Sequence, residues 1–77
     1  MSTNLLSAKA VSFPDFTVQN EGSIVLLHPH TDAARSWVDE NIGEDNGYQP
    51  MWPTVVVEHR FIADIVNGIQ MDELEVR

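Results

Sequence analysis

The chain has 77 residues, no cysteine, and twelve acidic against four basic side chains, a formal charge of −8. That length holds one domain, and the missing cysteine excludes disulfide staples, thiolate zinc sites and cysteine nucleophiles, which fits a reducing compartment. The sign of the charge argues against direct contact with nucleic-acid phosphates, and no apolar run approaches the roughly 18 residues of a membrane helix.

A domain this small buries only about 60% of the surface its unfolded chain exposes. Its large apolar residues are therefore claimed by one thin core. Met1 to Ser12 carries one lysine and a weak apolar patch at Leu5-Leu6, without the basic region and long apolar run of a secretory signal. It reads as a partly mobile tail (residues 1–12) on a cytoplasmic domain spanning 13–77.

Phe13 to Val18 reads as a strand opening at Pro14, where a missing amide hydrogen is tolerated. Gln19-Asn20-Glu21-Gly22 supplies turn chemistry, and Ser23 to Leu27 resumes as a strand, giving a hairpin with a loop of about three to five residues. The run Ile24-Val25-Leu26-Leu27 is apolar on both faces, as in a central strand.

Pro29 ends that strand. Thr31 is placed to cap a helix, and Asp32 puts negative charge at its positive end. Ala34, Trp37, Val38, Asn41 and Ile42 then share one face, an amphipathic helix of about three turns closed by Gly43.

The linker Glu44 to Pro53 has two prolines and no periodicity, yet it carries Tyr48, Met51 and Trp52. Thr54 to Val57 is β-branched throughout and predicts a strand. Beyond it, Phe61, Ile62, Ile65, Val66 and Ile69 form a helical stripe, with Arg60 and Asp64 at i,i+4 spacing. Asn67-Gly68 is also a hairpin signal. The helical template accounts for more residues, so a helix from about Glu58 to Gln70 is expected, with the hairpin as the alternative. Leu74 and Val76 would form a short closing strand. The fold class is α+β, β-β-α-β-α-(β), with two helices packed on one face of a three- to four-stranded sheet.

Two constellations bear on chemistry. His28 and His30 lie two residues apart on an extended segment, so both face one side, with Asp32 close by. If the strands before His28 and His59 ran parallel as neighbours, three imidazoles would meet at one sheet end, a zinc-type arrangement. A strand exit and helix cap explain the same residues more simply. No phosphate loop, nucleophile elbow or H-E-x-x-H is present, so an enzyme is the lesser expectation and no cofactor is implied.

The second constellation is acidic and aromatic. Asp39, Glu40, Glu44 and Asp45 frame Tyr48, Met51 and Trp52, residue types enriched at protein interfaces. Such a surface suits a basic protein partner, or a second copy of the chain in a homodimer. Solubility alone would also explain the charge.

Phe16 to Leu27 (FTVQNEGSIVLL) and Val55 to Gln70 (VVVEHRFIADIVNGIQ) resemble a family of short uncharacterised bacterial proteins often encoded on plasmids and prophages. The resemblance runs from Phe16 onward. That family has no established activity or catalytic residues, so the resemblance implies context alone: an accessory protein of a mobile element. Small acidic proteins of such elements sometimes inhibit host nucleic-acid machinery.

Overall fold

The computed structural model describes residues 13–45, 47 and 49–77. The expected tail of residues 1–12 and the side chain of Tyr48 lie outside the described residues. Strand β1 is Phe16–Asn20 and β2 is Ile24–Pro29. Helix α1 is Asp32–Asn41, β3 is Val55–Glu58, a 3-10 turn covers His59–Phe61, and helix α2 is Ile62–Met71. The sheet order is β1-β2-β3 with both pairings antiparallel, so the α+β expectation is met.

The hairpin forms as the turn chemistry dictates. Glu21-Gly22-Ser23 joins β1 to β2, the Asn20 side-chain oxygen accepts the Gly22 amide at 2.8 Å, and Gly22 takes φ +95°. Strand β1 starts later than its sequence suggests: Phe13 is 79% exposed and pairing begins at Phe16. Strand β2 runs further, through His28 to Pro29, so His28 lies inside the strand and not beyond it.

Period-2 alternation sends Phe16, Val18, Val25, Leu27, Val55 and Val57 to one face. Both helices pack there. Ala34, Val38 and Ile69 join Phe16, Leu27, Val55 and Val57 in one buried cluster. The Thr31 hydroxyl accepts the Ala34 amide at 3.0 Å, and Gly43 closes α1 at φ +87° with its amide on the Val38 carbonyl. Trp37 links the layers: its ring meets Phe16 edge-on at 6.1 Å, and its indole nitrogen donates to Asp72 at 2.7 Å.

Asn67-Gly68 sits within α2, not in a hairpin. Gly68 packs under the Trp37 ring, where a Cβ would lie 3.6 Å from the indole. The helix then ends in a Schellman arrangement. The Leu74 amide donates to the Ile69 carbonyl and the Glu73 amide to that of Gln70, with Glu73 at φ 65°. Leu74 and Val76 pack against the core, and residues 75–77 run parallel to β1, exchanging backbone hydrogen bonds with Phe16 and Val18. The expected closing strand is thus a single parallel bridge on the outer edge of β1.

Candidate functional site

The histidines separate into two groups. His28 and His30 do sit together, with ring centroids 6.3 Å apart. His59 does not join them, because β3 runs antiparallel to β2 and its amide donates to the Ser23 carbonyl, at the start of β2. Ser23 and His28 are five positions apart, about 17 Å along an extended strand. The parallel arrangement that a three-histidine site required is therefore absent.

His28 is also engaged on both ring nitrogens. Its Nε2 faces the Gln19 amide oxygen at 2.9 Å, and its Nδ1 lies 3.2 Å from the Thr54 hydroxyl. Since an amide oxygen only accepts, Nε2 carries a proton toward Gln19; in the neutral ring Nδ1 then accepts from Thr54. His30 Nε2 pairs with the Thr17 hydroxyl at 2.7 Å. Asp32 turns away to Arg35, 2.6 Å distant. Among the described residues, no three histidine or acidic side chains are grouped to hold a metal ion.

The expected partner-binding residues also divide. Asp39, Glu40, Glu44 and Asp45 are exposed on α1 and just beyond it. Met51 is half exposed, whereas Trp52 packs against the core cluster. Trp52 therefore helps to close this thin core and does not stand out as an anchor.

A concavity lies beside these residues: a groove of about 690 Å³ along the outer edge of β3. Its apolar walls include Ile42 at the end of α1, Val56 on the strand, and Phe61 and Ile65 at the start of α2. Phe61 is 46% exposed and Ile24, across the sheet, 37%. Glu58 and Asp64 supply the charge in its lining. Glu58 pairs with Arg60 at 3.1 Å, and the Arg60 guanidinium rests over the Phe61 ring. The expected Arg60–Asp64 pair does not form, because Arg60 belongs to the 3-10 turn, outside the α-helical spacing that brings i and i+4 together.

One contact defines this edge. The Gln49 side chain lies against β3 as a short strand would. Its amide oxygen accepts the Val56 amide hydrogen at 2.8 Å, and its amide nitrogen donates to the Val56 carbonyl at 3.2 Å. His59 points its backbone amide inward to Ser23, so alternation turns Thr54, Val56 and Glu58 outward. The Thr54 amide is taken by the Met51 carbonyl.

The charge distribution around the groove is one-sided. Every described arginine is held by a neighbouring acid: Arg35 by Asp32, Arg60 by Glu58, Arg77 by Glu75. Among the described residues, none of these ion pairs involves Asp39, Glu40, Glu44, Asp45 or Asp64. No family model matches the chain, and neither a curated protein nor a solved structure matches it significantly. No described helix is long and apolar enough to cross a membrane.

The groove adjoins the end of α1 and the following linker, where the sequence reading placed its acidic and aromatic residues, but it is lined by others. Gln49, Val56, Phe61, Asp64 and Ile65 carry the groove. Their signal was slight: Phe61 and Ile65 read as core stripe, and nothing in the sequence marks a glutamine as an edge cover.

Proposed function

We propose that this protein is a small acidic binding module that engages a basic protein partner, and that its contact surface is the groove beside β3. The observation that carries the reading is the pairing of half-exposed apolar groups, Phe61 and Ile24, with an acidic surround in which every described arginine is already held by an acid. Apolar contact supplies affinity at such a surface, while charge steers encounter and selects the partner. A nucleic-acid-binding protein is the class of partner that this charge favours, in keeping with the role that the resemblance to mobile-element proteins implies. Asp39, Glu40, Glu44 and Asp45 extend the negative field beyond the groove and would act at its rim.

The test is a titration of the isotope-labelled protein with oligolysine, followed through backbone amide signals. Shifts centred on Glu58, Phe61, Asp64 and Ile65, and weakening with salt, are expected. Equal shifts around Glu21, Asp32 and Glu73, on other parts of the surface, would reduce the acidity to a device for solubility and sink the reading.

A further inference from the structure

The groove follows a strand edge, and the Gln49 side chain lies over it. Edge strands present unpaired backbone groups that another extended chain can adopt. Here Gln49 occupies one donor and one acceptor of Val56, which is the pairing one residue of an added strand would make. We infer that β3 accepts an extended segment of its partner by strand addition, with the Gln49 amide giving way, and that this segment alternates apolar and cationic side chains. The inference rests on the binding-module reading and deepens it.

The alternation follows from the two sides of the edge. A strand laid beside β3 sends every second side chain toward the helices, where Ile42, Phe61 and Ile65 wait. The intervening side chains fall on the open face, which Glu58 shares with Ile24 across the register. Apolar residues suit the first row and lysine or arginine the second. Asp64 adds a further acid at the groove wall.

A second copy of the chain is the poorer occupant. Two molecules of charge −8 repel one another, and an antiparallel β3–β3 pairing would bring both acidic surrounds together.

The probe is a short capped peptide of alternating lysine and valine, added to the full chain. It should bind with movement of the Val56 amide and of the Gln49 side-chain amide signals. The same peptide N-methylated at the backbone positions that face β3 should bind at least tenfold more weakly, since it cannot donate to the edge. Gln49→Ala should bind the parent peptide several-fold more tightly, because the internal competitor is gone. The N-methyl comparison uses the unaltered protein and decides the matter even if that variant folds poorly.

Equal binding of parent and N-methylated peptides would overturn strand addition while leaving the acidic-module reading intact. Failure of both the peptide and oligolysine to bind would remove the module reading itself. Equal binding of a glutamate–valine peptide would overturn the cationic assignment. Tighter binding of a peptide of residues 2–11, or a dimer by sedimentation whose contacts move Val56, would give the edge a different occupant and overturn the proposal.

Discussion

Asp15 and Thr31, sixteen positions apart, are joined by a hydrogen bond in which the Thr31 hydroxyl donates to Asp15 Oδ1 at 2.8 Å. The same hydroxyl oxygen accepts the Ala34 amide, so the group that caps α1 is itself aimed by the start of β1. Asp15 reaches further. Its second carboxylate oxygen accepts the Glu75 amide at 2.9 Å, and its backbone carbonyl accepts the His30 amide. One residue thus ties the hairpin, the first helix and the segment after α2.

Thr31→Ala is expected to destabilise the fold by about 1–2 kcal/mol, the range for a lost helix cap. Asp15→Ala should cost at least as much, since it releases partners on two segments. The double variant should lose less than the sum of the two, by roughly 0.5 kcal/mol or more, because the residues share a bond. Urea unfolding of the four proteins measures this coupling, and strict additivity would mean that the bond carries no energy.

Glu73 holds a left-handed conformation at the end of α2, which costs a residue with a Cβ about 1 kcal/mol or more. Glu73→Gly should therefore stabilise the domain by roughly 0.5–1 kcal/mol after the added freedom of the unfolded chain is subtracted. For a domain of this size, 1 kcal/mol moves the midpoint of thermal unfolding by about 4–8 °C. A lowered midpoint would refute the assignment of strain to this residue.

Gly68 approaches Trp37 but leaves room for a methyl group, since a Cβ would sit at ordinary contact distance. Gly68→Ala should gain roughly 0.5–1 kcal/mol of helix propensity. Gly68→Leu should lose stability, because the larger side chain would push the indole away from Phe16 and Asp72. Tryptophan fluorescence during unfolding distinguishes these outcomes.

The Gln49 contact predicts a local exchange pattern. In Gln49→Ala the Val56 amide faces solvent, and its hydrogen exchange should accelerate about tenfold or more, while Val55 and Val57, which point toward β2, change little. Acceleration of all three alike would mean that the substitution loosens the whole strand.

The histidine arrangement is checked by zinc titration with detection of imidazole signals. His28 and His30 share a neighbourhood and are expected to respond together or not at all. His59 should not share that response, given the distance set by the strand register. Concerted shifts of all three at stoichiometric zinc would contradict the antiparallel pairing of β2 and β3.

Local chemistry made much of this fold readable. Thr31, Gly43 and the apolar stripe of α1 announce that helix, and the spacing of Phe61, Ile65 and Ile69 announces the second. The direction of β3 was harder. A strand–helix–strand order ordinarily returns the chain parallel to the first strand. Here residues 42–54 follow a ten-residue helix, and so long a connection lets the chain run back and enter the sheet from the opposite end. That single reversal moves His59 away from His28 and His30. Gln49 was unreadable for another reason. A side chain that imitates backbone leaves no periodic trace, and its role exists only once Val56 is placed beside it.

The two outer margins of the sheet are closed by different means. Beyond β1, the backbone of residues 75–77 is hydrogen-bonded to Phe16 and Val18; beyond β3, the Gln49 side-chain amide covers Val56. The first closure is made by main chain, the second by a side chain. Growth of a fibre needs each molecule to receive a strand on one flank and offer one on the other. Among the described residues the flank at β1 is already paired, so a strand added at β3 would leave no second open flank for a further molecule.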